Sequence, residues 1–286
     1  MNTKSYRKYF PIFVLPTLLA FTLAFIAPFI MGLYLSFCKF KTVKDATWVG
    51  FTNYIKIFTA KDATFVDTLL RTTKFTILGV IIINVGAFLL AYFLTKKLPG
   101  TNVFRTIFFM PNLIGGIVLG YIWKEILDTF CQKFLGHVFG YSGANYGFWG
   151  LLIVMSWQLM GYMMIIYIAG IQNIPEDVLE AARIDGAKPI QILGKITLPL
   201  VMPSITICMF LSISNLFKLY DQNYALNGFS TKTNLVAMDI YDTFYNHSVD
   251  EFAEGTGQAK AVIFFLLVAV ITFLQLRLTR SKEVEQ

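Results

Sequence analysis

The feature that most constrains this chain is the recurrence of long runs without a single charged side chain. Such runs fall at 11–37, 75–95, 106–123, 148–174, 197–217 and 261–276. An ionised group at the centre of a bilayer costs at least ~2.5 kcal/mol, and a helix needs about 20 residues to cross one. Six membrane-spanning helices are therefore expected. Composition agrees: 56% of the 286 residues are hydrophobic, 16% aromatic and only 14% charged, which is too apolar for a water-soluble domain. The sixth run is short and is expected to recruit residues 258–260, with Lys260 snorkelling outward. The first run follows Lys4, Arg7 and Lys8, as a signal peptide would. Its apolar stretch is about twice the length of a signal-peptide core and lacks a small-residue cleavage site, so it reads as a retained helix.

Orientation follows from lysine and arginine. If both termini are cytoplasmic, the inner segments hold half of the 24 basic residues: Lys4, Arg7, Lys8, Lys96, Lys97, Arg105, Arg183, Lys188, Lys195, Arg277, Arg280 and Lys282. Those segments are roughly half as long in total as the outer ones, so their basic density is higher, as the positive-inside rule requires. The net charge of +7 then suits an anionic membrane face and implies no nucleic acid. Cys38, Cys131 and Cys208 form neither a disulfide framework nor a metal-ligand spacing, although Cys38 and Cys131 both fall near the outer face. His137 and His247 read as exposed loop residues. The third run carries Met110, Pro111 and Asn112, then Gly115, Gly116 and Gly120. Proline is expected to kink the helix, and Gly116 and Gly120 share a face that admits a neighbouring backbone. That pattern fits helix packing, or a kink that bends as a pathway opens.

The connection between the fourth and fifth runs, PEDVLEAARIDGAKPIQILGKITLP at 175–199, is unlike the others. Pro175 suits a first helical position, Glu176 and Asp177 face the positive end of the helix dipole, and Gly186 supplies a left-handed stop. Val178, Leu179, Ala182 and Arg183 fall in one stripe, so the helix is amphipathic and lies outside the bilayer. A second helical piece follows Pro189, with Ile190, Leu193, Ile196 and Thr197 at helical spacing. The four acids of the connection, Glu176, Asp177, Glu180 and Asp185, argue against an anionic lipid surface and for docking to a protein.

The spacing Glu180, Ala181, Ala182, then Gly186, then Ile196, Leu198 and Pro199 resembles the EAA loop of ABC importer permeases. The stretches FRTIFFMP at 104–111, IWK at 122–124 and LYDQNYAL at 219–226 are similar to binding-protein-dependent sugar permeases of the maltose and glycerol-phosphate type, and within that group to the first of two paired permeases. One departure is visible: Asn227, Gly228, Phe229 and Ser230 stand where relatives often carry Gly-Gly-Pro. The resemblance implies an all-α, type I ABC importer transmembrane fold of six helices in a bacterial cell membrane, with the loop 175–199 forming a coupling helix. Residues 1–70 would hold the N-terminal tail, first helix and outer loop, and 71–286 the core permease domain. Glu180, Ala181, Ala182, Asp185 and Gly186 would couple to a separate ATPase. The implied partners are a second homologous permease, two ATPase subunits, an extracytoplasmic solute-binding protein and a carbohydrate.

No phosphate-binding loop occurs here, since Gly194 and Lys195 are followed by Ile196, so ATP and magnesium are expected on the partner ATPase and no cofactor on this chain. A sugar path asks for neutral hydrogen-bonding groups and aromatic faces inside the membrane. The candidates are Trp157, Gln158 and Tyr162 in the fourth run and Ser212 and Asn215 in the fifth, which would otherwise bond neighbouring helices. Asn84 reads as interhelical, and Lys218 with Asp221 as a local ion pair or a binding-protein contact. An autonomous secondary transporter of a small polar solute is the alternative. That class often relies on an intramembrane charge, and none of the six runs has one. An intramembrane enzyme would need an acid, base, nucleophile or metal cluster at membrane depth, where only scattered Ser, Thr, Tyr and Cys occur.

Overall fold

In the computed structural model the described residues are 3–59, 65–96, 99–137, 139, 144–230, 232–245 and 251–283; His247 and Lys97 lie outside them. Four helices are long and apolar enough to cross a membrane: Phe10–Leu35, Phe65–Leu94, Tyr146–Gln172 and Ala253–Arg280. Two further spans are broken pairs, Thr101–Leu113 with Gly116–Leu135, bent by 104°, and Pro189–Leu200 with Met202–Phe217, bent by 68°. The six apolar runs thus become four continuous spans and two bent ones.

In chain order the elements are α1 (Thr3–Phe21), a π-helical turn (Thr22–Ile26), α2 (Ala27–Leu35), β1 (Cys38–Lys39), β2 (Thr47–Trp48), α3 (Thr52–Thr59), α4 (Phe65–Leu94) and α5 (Thr101–Phe109). There follow a 3₁₀ turn (Met110–Leu113), α6 (Gly116–Leu135), α7 (Ala144–Gln172), α8 (Glu176–Ile184), α9 (Pro189–Ile192), a π-helical turn (Leu193–Thr197), α10 (Leu198–Leu200), α11 (Met202–Phe217), α12 (Asp221–Asn227), α13 (Val236–Tyr245) and α14 (Ala253–Arg280). The chain divides into two compact units, one of residues 1–63 with 240–265 and one of 64–239 with 266–286.

In the first unit the π-turn has a local cause. Pro28 enters α2 without an amide proton, and the turn before it closes with the wider Ala27 N–H to Thr22 carbonyl bond. Beyond α2 the chain forms a two-stranded antiparallel hairpin, β1 against β2, and then α3. Asn53 on α3 is fully buried, and its amide donates to the carbonyls of Ser36 and Cys38, both at 2.9 Å. The Asp45 carboxylate accepts from the backbone N–H groups of Thr42 and Lys41, which holds it below the usual carboxylate range, with the Thr42 bond the main cause. Lys260, expected to snorkel, instead donates to the Thr243 hydroxyl at 2.8 Å.

The second unit is built on α4, α7 and α11. Phe75, Gly79, Ile83, Ala87 and Ala91 form a buried stripe at four-residue spacing along α4, the ridge by which one helix packs into the groove of another. Small residues set the separations. A Cβ added to Gly79 would come within 2.6 Å of Leu216 on α11, and one added to Gly86 within 2.5 Å of Met160 on α7. Gly161 of α7 is tighter, since a Cβ there would overlap the backbone carbonyl of Phe108 on α5. All three cysteines are buried free thiols. His137 packs edge-on against the ring of Tyr146, with centroids 5.4 Å apart.

A test of this packing follows from Gly161. Because its obstacle is backbone, Gly161→Ala is expected to cost about 1–3 kcal/mol of stability, and Gly194→Ala, which meets nothing within 4 Å, is expected to cost none. Thermal unfolding of both variants in detergent checks this; equal midpoints would contradict the close approach of α5 and α7.

Candidate functional site

Two features stand out, and both lie in the second unit. The first is the connection that contains α8. It begins one residue later than expected: Pro175 is the residue before the helix, with extended backbone (φ −58, ψ 132), and Glu176 and Asp177 open the first turn. It ends where expected. Gly186 has φ +76, Ala187 N–H bonds the Ala182 carbonyl at 3.0 Å and Gly186 N–H the Arg183 carbonyl at 3.1 Å, the paired bonds of a Schellman stop. Of the predicted stripe only Ala182 is buried and Leu179 half-buried. Glu180, Ala181, Asp185 and Gly186 are exposed, and so are Ile184 and Ile190, at 80% and 72%. An acidic helix that ends on one bare isoleucine and is followed by another is a surface suited to a protein partner.

The second feature is a polar cavity of about 300 Å³ lined by Asn112, Gln158, Asn215, Lys218, Asp221 and Gln222, among others. Its geometry starts from the break between α5 and α6. Pro111 does not itself bend a continuous helix: it sits early in a 3₁₀ turn, after which Ile114 (φ −83, ψ 130) and Gly115 (φ −60, ψ 141) are extended. Extension turns the Ile114 carbonyl out of the helical ladder, and the Gln158 amide of α7 donates to it at 3.3 Å. Gln158 in turn accepts from the Gln222 amide of α12 at 2.9 Å. Gly116 and Gly120 allow α12 to lie against α6: a Cβ on Gly120 would stand 2.6 Å from that of Ala225 and 3.0 Å from the Gln222 carbonyl. The packing reading of these glycines therefore holds at these positions.

The expected path residues divide among four places. Gln158 and Asn215 line the polar cavity. Ser212 does not; it is fully buried, donates to the Cys208 carbonyl at 2.7 Å and accepts from Asn84 at 3.1 Å. Asn84 also accepts from the Tyr167 hydroxyl at 2.8 Å, so α4, α7 and α11 are joined by one polar chain, the interhelical role expected of Asn84. Trp157, next to Gln158 but on another face of α7, meets Trp123 edge-on at 5.5 Å and lines a separate apolar cavity of about 340 Å³ with Phe108 and Met160. Tyr162 is half-buried and outside the polar cavity. Lys218 and Asp221 form no ion pair with each other; both are exposed at the cavity. Sequence reasoning missed Gln222 as a lining residue, because its place depends on a short helix beyond the fifth span and on the broken third one. Among the described residues no three His, Cys, Asp or Glu side chains could hold a metal.

Comparison with known proteins completes the description. Residues 83–284 match the model of the family described as "binding-protein-dependent transport system inner membrane component". The chain is 41% identical over 282 residues, 96% of its own length and 94% of the relative's, to the probable starch degradation products transport system permease protein AmyD of Thermoanaerobacterium thermosulfurigenes. Its fold is similar to a crystal structure of a bacterial ABC transporter involved in the import of the acidic polysaccharide alginate (TM-score 0.81, 19% identity, covering 97% of this chain and 98% of that one). It is also similar to the bacterial alginate ABC transporter in complex with an alginate pentasaccharide-bound periplasmic protein (TM-score 0.79, 18% identity, covering 97% and 96%).

Proposed function

Since the chain belongs to the family of binding-protein-dependent transport system inner membrane components, we propose that its polar cavity forms part of the route of an oligosaccharide through the membrane. The observation that carries this reading is the convergence of four neutral amides, Asn112, Gln158, Asn215 and Gln222, on one cavity. Amides both donate and accept, as a polyhydroxylated cargo requires, and the volume lies at the lower end of small-molecule sites. The 41% identity to a permease for starch degradation products supports an α-glucan fragment as cargo. Lys218 and Asp221, unpaired at the same cavity, add one charge of each sign and so leave a neutral cargo favoured.

The exposed loop 175–199 is the docking element for an ATPase, which hydrolyses ATP with magnesium while this chain moves. Glu180, Ala181, Asp185 and Gly186 form that surface over the buried Ala182, and closure of the ATPase is transmitted as a rigid-body movement of the helices it touches. A second permease of similar kind completes the path, a solute-binding protein delivers the cargo, and both termini of this chain are cytoplasmic. The pentasaccharide-bound periplasmic protein in the alginate complex supports a binding protein as partner.

Two outcomes are expected in cells taking up labelled malto-oligosaccharides. Asn215→Leu removes a hydrogen-bonding partner of cargo, a loss of about 1 kcal/mol or roughly fivefold in half-saturating concentration, and Gln158→Leu, which also breaks the bonds to the Ile114 carbonyl and to Gln222, is expected to lose more. Ser212→Ala is expected to leave that concentration unchanged. Identical uptake by all three variants and the parent would overturn the assignment of the path. At the loop, Gly186→Val meets no atom within 4 Å but must adopt φ +76, a strain of roughly 1–2 kcal/mol. Uptake is expected to fall to background with the chain still inserted, measured by transport and by the amount in the membrane fraction; full uptake would remove the coupling role of the loop.

A further inference from the structure

In the first unit, the hairpin and α3 present an apolar, aromatic surface next to the end of the first span. On α3, Asn53 and Ile57, four residues apart, are buried. The opposite face carries Phe51, just before the helix, then Ile55 and Phe58, at 67%, 59% and 58% exposure. The spacing i, i+4, i+7 places all three on one stripe. Trp48 at the end of β2 extends it: its ring stacks on Phe37 at 5.3 Å and meets Tyr34 at 5.8 Å, and Phe37 in turn packs against Phe51 and Tyr54. Tyr34 lies in the last turn of α2, inside the span Phe10–Leu35, none of whose most apolar window is buried within the chain. The stripe therefore continues directly from a span surface that no other part of its own unit buries.

We infer that the hairpin and α3 form an interfacial membrane element, lying at the boundary of the bilayer with Trp48, Phe51, Ile55 and Phe58 among the upper acyl chains and Lys41 and Lys44 among anionic phospholipid headgroups. Three observations favour lipid over protein as the occupant. The exposed residues are large, apolar and aromatic, the composition of a membrane-interface belt. Lys41 and Lys44, exposed on the loop between the strands, complement an acidic headgroup, whereas Asp45 beside them is engaged by backbone N–H groups. A partner that binds and leaves in every transport cycle would return four bulky apolar side chains to water each time, which lipid does not. The inference rests only on the first span crossing the bilayer, not on the proposed cargo or coupling.

The test uses the protein with its accompanying subunits in bilayers of phosphatidylethanolamine and phosphatidylglycerol whose acyl chains are brominated near the headgroup. The emission of Trp48 is the difference between the parent chain and Trp48→Phe. Most of that difference signal should be lost on bromination, with greater loss when the bromine is on phosphatidylglycerol than when the same fraction is on phosphatidylethanolamine. Equal loss would remove the headgroup preference. An unchanged Trp48 signal, whether water-quenched or shielded by protein, would overturn the inference. Ile55→Cys carrying a nitroxide gives an independent measure, since the three native cysteines are buried. Its relaxation should respond more to oxygen than to a water-soluble nickel chelate, and the reverse order would equally overturn the placement.

Discussion

Inside a bilayer no water is available for a backbone group that has lost its partner, so each break in a spanning helix must be repaired from elsewhere in the protein. The break at Ile114 and Gly115 is the point on which the polar cavity and the seating of α12 depend. Extended backbone there leaves the Ile114 carbonyl outside the helix, and Gln158 donates to it. The same glutamine accepts from Gln222, so the repair of one span also ties α12 to α7. Glycines 116 and 120 make room for α12, and the cavity forms where these elements fail to fill the space between them. A polar cavity is thus the by-product of satisfying a broken helix.

This economy explains why Gln158 and Ser212, similar on paper, differ in place. Both are uncharged polar residues in apolar runs, and each had a cargo role and a packing role open to it. Ser212 is enclosed by Asn84 and its own helix, as a serine between helices commonly is. Gln158 reaches past its helix to a carbonyl that exists as a free acceptor only because another helix is interrupted. Trp157, one residue away, points across roughly 100° of helix to an apolar cavity instead.

Much of this was legible from residue order. Charge-free runs located all six spans, because the bilayer penalises charge everywhere along a helix and leaves an unambiguous gap pattern. The helix stop at Gly186 was legible because glycine is the residue that takes φ +76 without strain. The helix start was one residue off, since Pro175 fits either side of a helix boundary and only its ψ decides. What was not legible was anything made by two distant segments at once. The 104° bend looked like a proline kink, yet proline here opens a 3₁₀ turn and the turn's exit makes the bend. Lys218 and Asp221 have the spacing of an ion pair, but Lys218 follows the last turn of α11 and Asp221 opens α12, so no common helix face brings them together.

The central claim is that this chain is one permease of a multi-subunit importer whose loop 175–199 receives the motion of a separate ATPase. The most direct test is to tag the chain, extract it gently from its native membrane and identify by mass spectrometry what accompanies it. The account predicts a second permease bearing a similar loop and an ATPase carrying a phosphate-binding motif, both lost when Gly186 is replaced by valine. A chain recovered alone that still transports after reconstitution would contradict it.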